Sequence, residues 1–159
     1  MTRLRFLVLS LLLAPLAPAA APAQEGRTVG SYTFGGGELR VDTDGRRVAL
    51  FAADRDGSRV LVYVDPSSVA RWLDEAGAIV KSRSPRGEEE TSPLTHRDDS
   101  MKGSVVLSRS APGGREPARL YLTVVGDSDH IAMIPLTPMD ARIVIAALDR
   151  AAAESRPGP

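Results

Sequence analysis

The chain has 159 residues, 20 basic and 20 acidic side chains, 43% hydrophobic residues and no cysteine. Balanced charge argues against the basic stripe that neutralises phosphates in nucleic-acid-binding proteins. The absent cysteine excludes disulfide frameworks, thiolate metal sites and an acylated N-terminal cysteine.

Residues 1–23 read as an export signal. Arg3 and Arg5 precede the apolar run Phe6 to Leu13, and Ala21-Pro22-Ala23 places small residues where a signal peptidase cuts. Ala21, Ala23 and Gln24 are thus the cleavage residues, and the mature chain starts at Gln24. A membrane anchor would need about 20 uninterrupted apolar residues, whereas Pro15, Pro18 and Pro22 break this run. No membrane span is expected after cleavage, and the protein is placed in the periplasm or outside the cell. Residues 24–159 then number 136, with 18 basic and 20 acidic groups once Arg3 and Arg5 are lost. That size suits a single core, here a domain over 24–156 with a tail at 157–159. Lys81 and Lys102 are the only lysines, and arginine dominance beside many Ala, Gly and Pro is the composition of a GC-rich bacterial genome.

The first half of the domain covers 28–81. Leu39, Val41 and Thr43 alternate with Arg40, Asp42 and Asp44, the period of a strand with one wet face. Asp44-Gly45 and Asp56-Gly57 provide hairpin turns. Val48 to Ala53 and Val60 to Val64 carry apolar residues at both alternating positions, which predicts strands covered on both faces. At Asp65-Pro66 the period changes to about 3.6, and Val69, Trp72, Leu73, Ala76, Ile79 and Val80 form one helical stripe, with distortion allowed at Gly77. Trp72 reads as a core anchor.

Residues 82–103, with Pro85, Pro93, Glu88-Glu89-Glu90 and Asp98-Asp99, read as an exposed polar connector, partly disordered. In the second half, 104–155, strands are expected from Lys102 to Ser108, Arg119 to Val125 and His130 to Leu136. A loop at 111–117 and a turn at Asp127 to Asp129 separate them. Thr137-Pro138-Met139-Asp140 then opens a helix with the stripe Ile143, Val144, Ala147, Leu148 and Ala151, running to about Glu154.

Sliding the chain by 72 residues lays Val48–Ile79 over Leu120–Ala151 without a gap, although identities are few. The expected fold is therefore α+β, an antiparallel sheet with two amphipathic helices arranged as a tandem (β-β-β-α)×2 pseudo-repeat. This order of elements resembles the PUR repeat and the helix-backed sheets of PC4-like and Whirly proteins, and the resemblance implies nucleic-acid binding. No nucleic-acid motif corresponds residue by residue, and the charge, the scarce aromatics and the export signal oppose that role. Binding of that kind would need a strip of arginines such as Arg40, Arg47 and Arg59 exposed on one sheet face.

Chemistry-bearing motifs are sparse. His96 and His130 are the only histidines, and although Asp127-Ser128-Asp129-His130 contains the residue types of a hydrolytic triad, neighbours in a hairpin do not converge. Asp42-Thr43-Asp44-Gly45 and Asp54-Arg55-Asp56-Gly57 offer Asp42, Asp44, Asp54 and Asp56 as weak calcium candidates. Neither motif has the later glutamate of an EF-hand loop, and hairpin turns explain both. Gly35-Gly36-Gly37 lacks the helix and lysine of a phosphate loop. No catalytic residue, cofactor or resident metal follows. The sequence points to an exported, non-enzymatic binding module that forms a homodimer through a sheet face or curls into a closed roll. The alternative is an extracytoplasmic enzyme or accessory subunit whose site is assembled from distant residues.

Overall fold

A computed structural model describes residues 26–82, 90–94, 103–110, 118–127 and 130–155. Four strands, β1 (Arg27–Phe34), β2 (Gly37–Thr43), β3 (Val48–Ala53) and β4 (Arg59–Val64), lead into helix α1 (Pro66–Lys81). Four more, β5 (Glu90–Leu94), β6 (Ser104–Arg109), β7 (Leu120–Val125) and β8 (Ile131–Leu136), lead into α2 (Pro138–Glu154). Each set pairs with its sequence neighbours as an antiparallel meander, β1-β2-β3-β4 and β5-β6-β7-β8. The fold is α+β, as the change of hydrophobic period predicts.

Local chemistry sets the reversals. In the β2–β3 turn Gly45 takes φ +80, while Asp44 Oδ1 accepts from the N–H groups of Arg46 and Arg47 at 2.9 and 2.7 Å. Asp54 does the same in the β3–β4 turn, accepting from Asp56 and Ser58 N–H, both at 3.0 Å. At the start of α1 the Asp65 side chain accepts from Ser68 N–H at 3.0 Å, with Pro66 in the first turn. At the start of α2, Thr137 and Asp140 form a reciprocal capping box.

Two expectations need correction. Each half has four strands rather than three: β1 precedes the three strands of the first half, and β5 forms inside the stretch 82–103 read as an exposed connector. Only Leu94 in β5 is a large apolar residue, and it is 1% exposed. Pro93 is tolerated because β5 is an edge strand, where a missing N–H leaves no ladder partner unsatisfied. The rest of that stretch, apart from Ser82 and Gly103, lies outside the described residues, as does the loop 111–117. Within one chain, β3, β4 and β7 are not covered on both faces. Burial alternates strictly along all three, and Leu61 and Tyr63 of β4 are 49% and 39% exposed. Apolar composition at both positions marked strands whose outer side chains remain at the surface.

The inner faces share one continuous core, with Leu39, Leu50, Val62, Leu107, Leu122, Ile134 and Leu148 almost fully buried. Trp72, at 2% exposure, joins it. The sheets meet through β8, which lies against β2, β3 and β4, and through β7 against β4. That approach is close: a Cβ at Gly126, just after β7, would come within 2.8 Å of Val60 Cγ1 in β4.

The helices are exchanged between halves. Helix α1 follows the first sheet yet lies on β5 and β6, while α2 follows the second sheet yet packs on β1 and β2. Polar ties fix both C-termini. The buried Arg109 of β6 donates from Nε and Nη2 to Ile79 O at 3.1 and 2.9 Å and from Nη2 to Val80 O at 3.1 Å, satisfying carbonyls that the last turn of α1 leaves open. Ser155, the C-cap of α2, hydrogen-bonds Thr43 at the end of β2 and donates to Ala151 O at 2.7 Å.

Candidate functional site

With the inner faces consumed by the core, the described residues leave three places for a site: the outer faces, the groove between the helices and a small cavity of about 130 Å³ between α1 and β5. The outer face of the first sheet is zwitterionic. Register places Arg40, Phe51 and Leu61 in one row across β2, β3 and β4. The Arg40 guanidinium stands 5.6 Å over the Phe51 ring, and its Nε donates to Asp42 at 2.9 Å. Arg47 repeats the pattern in the β2–β3 turn, 4.7 Å over the Tyr63 ring and 3.2 Å from Asp44. The third arginine of the anticipated strip, Arg59, sits in the same row as Glu38. Each cation therefore has a carboxylate beside it or along its row, and this face presents no net positive field to a phosphate backbone.

The second sheet is different. Its outward residues form rows such as Pro93, Val106, Thr123 and Met133, with Tyr121 and Ile131 in the rows on either side. None of the outward positions of β5–β8 carries a charge. Ile131 and Met133 are 47% and 49% exposed. Prolines stand in both edge strands, Pro93 in β5 and Pro135 in β8, so neither edge offers an unbroken ladder to an incoming strand. At one end a cavity of about 210 Å³ separates Tyr121, Met133 and Pro135 from the β3–β4 turn and Arg119.

A larger groove of about 440 Å³ lies between the helices. Leu73, Gly77, Val80 and Lys81 line it from α1, and Arg142, Ile145, Ala146 and Asp149 from α2. Gly77 is helical, and a Cβ added there would meet nothing within 4 Å.

The residues singled out from sequence do not converge. Asp42 lies on the outer face of β2, with one oxygen held by Arg40 and the other buried and unpaired. Asp44 and Asp54 are engaged by backbone N–H groups of their own turns, and Asp56 lies 3.7 Å from Arg55. Among the described residues no three metal-ligating side chains cluster. His130 is exposed, with Nδ1 3.3 Å from Asp127 O rather than beside a hydroxyl. Gly35 and Gly36, with φ +54 and +86, form the β1–β2 turn. Glu90 accepts from Ser82 at 2.8 Å. His96, Ser128, Asp98, Asp99, Ala21, Ala23 and Gln24 lie outside the described residues.

Two carboxyls are shifted. Hydrogen bonding from Ser67 and then from Ser68 outweighs partial burial and holds Asp65 below the ordinary value of 3.8. At Asp44 partial burial pushes upward, but the N–H groups of Arg46 and Arg47 and the Arg47 guanidinium together pull the carboxyl below it. Both shifts belong to cap and turn geometry. None of the described helices is long and apolar enough to cross a membrane. No family model matches the chain, and no curated protein matches it in sequence.

Proposed function

We propose that the chain is an exported, non-enzymatic interaction module that docks through the outer face of the β5–β8 sheet, with a second copy of itself as the partner. The observation that carries this reading is the absence of charge from that face, in a chain where 25% of residues are charged. Two such faces stack about a two-fold axis without opposing like charges, at the roughly 10 Å spacing of packed sheets. The prolines of β5 and β8 disfavour edge-to-edge pairing, which leaves the face as the contact.

Magnitude decides the strength of the contact. Four strands about 4.8 Å apart and some six residues long give a footprint of roughly 400 Å², well below the ~800 Å² per partner of a standard interface. Association is therefore weak and concentration-dependent, and burial of the outward side chains drives it.

Two measurements test the proposal. Mass spectrometry of the exported chain finds an N-terminus at Gln24, whereas a chain that begins at Met1 removes the export reading. Light scattering on that product shows an average mass that rises with concentration, and Met133→Glu abolishes the rise. A mass that stays monomeric up to about 1 mM, where even a contact worth only ~4 kcal/mol would register, contradicts the docking mode.

A further inference from the structure

The groove between α1 and α2 is a second surface, independent of the sheet face, and its chemistry specifies an occupant. We propose that it binds a free single-chain amphiphile with an anionic head, of the fatty-acid type.

Glycine inside a helix is less favourable than alanine because it has more backbone freedom to lose. At Gly77 neither backbone nor packing calls for it: the residue is helical, and the space a side chain would fill is empty. That vacant space opens into the groove between Leu73 and Val80 on one wall and Ile145 on the other. At about 440 Å³ the groove lies within the usual range for small-molecule sites, ~300–1,000 Å³.

The lining decides what fits. It contains no hydroxyl and no amide side chain, and the backbone of both walls bonds along the helix axes except in the last turn of α1, where Arg109 occupies the Val80 carbonyl. A sugar or an extended peptide would leave its donors and acceptors unpaired, and each buried unpaired group carries its full desolvation cost. An alkyl chain makes no such demand. Of the three ionisable lining residues, Lys81 and Arg142 are cations and Asp149 an anion, and none makes an ion pair among the described residues. The net positive charge complements one anionic head at the rim, where the long stems of Lys81 and Arg142 extend the apolar surface.

Amide NMR of the full exported chain, titrated with sodium dodecanoate, tests the proposal. The expected result is saturable shifts confined to α1 and α2 with a Kd of about 10–100 µM, or ~5.5–7 kcal/mol. Gly77→Leu fills the groove and weakens binding at least tenfold without lowering the thermal midpoint. Lys81→Glu combined with Arg142→Glu weakens dodecanoate binding and strengthens that of dodecyltrimethylammonium, a readout that loss of fold would not produce. Leu61→Glu, on the outer face of the first sheet, leaves the affinity unchanged. The proposal is overturned if dodecanoate does not bind, if Gly77→Leu binds it as well as the parent, if shifts map to the second sheet, or if only phosphatidylglycerol vesicles bind.

Discussion

On the first sheet, outward arginines stand over aromatic rings beside carboxylates, Arg40 with Phe51 and Asp42, Arg47 with Tyr63 and Asp44. On the second, the corresponding rows from Pro93 to Met133 and through Tyr121 and Ile131 hold no charged side chain. Both sheets are four-stranded meanders that bury alternate residues in one core, so inner packing does not account for the contrast. A solvated sheet face ordinarily carries charge, as the first does, and a face without it is suited to being covered. The two sheets also hold their exchanged helices differently. A buried guanidinium ties α1 to the second, and a pair of hydroxyls ties α2 to the first.

That second contrast gives the largest expected effect. Arg109→Met removes the charge-assisted bonds to Ile79 O and Val80 O and lowers stability in urea unfolding by about 2–3 kcal/mol. Ser155→Ala, which deletes one member of the hydroxyl pair, costs only about 1 kcal/mol. Equal losses would mean that the ties are equivalent.

The helix caps come next. Asp65→Ala and Thr137→Ala each remove a side-chain acceptor at an N-cap and lower stability by about 1 kcal/mol. Acid titration sharpens the same point. Asp65 and Asp44 have folded pKa values below the ordinary 3.8, so the unfolded chain binds protons more readily at these sites. Their contribution is complete above about pH 5 and is lost as pH falls through 3.8 toward the folded values. The double variant Asp44→Asn, Asp65→Asn should be less stable at pH 7 and should lose less stability on acidification than the parent. An identical pH slope would remove both groups from the account.

The smallest effect on stability accompanies the clearest effect on association. Met133→Glu and Leu61→Glu introduce the same charge at positions that are each 49% exposed, one on each outer face. Both should leave the unfolding free energy within about 0.5 kcal/mol of the parent. Light scattering should show lost association for Met133→Glu alone.

Much of the fold was legible because period and turn chemistry agreed. Val48, Arg59 and Pro66 open β3, β4 and α1, and Leu120, Ile131 and Pro138 open β7, β8 and α2, at or within a residue or two of where the pattern changes in the sequence. Caps at Asp65 and Thr137 and turns at Gly45 and Gly57 formed where their residues indicated. β5 escaped because Thr91 and Pro93 carry no strand pattern and only Leu94 reaches the core. Helix exchange was invisible as well, since a stripe such as Val69-Trp72-Ala76 shows that a helix is buried but not against which sheet. Apolar residues at both positions of β3, β4 and β7 concealed which side faced outward, and only the register separated Phe51 from Leu50. The groove had one trace in the sequence, Gly77, a break in an otherwise continuous stripe.

The contrast between the two outer faces is tested most directly by following backbone and methyl chemical shifts of the chain as its concentration is raised. The account predicts movement at Val106, Tyr121, Thr123, Ile131 and Met133, with Arg40, Phe51 and Leu61 stationary. Shifts that move on the first sheet while the second stays fixed, or that stay fixed on both, would contradict it.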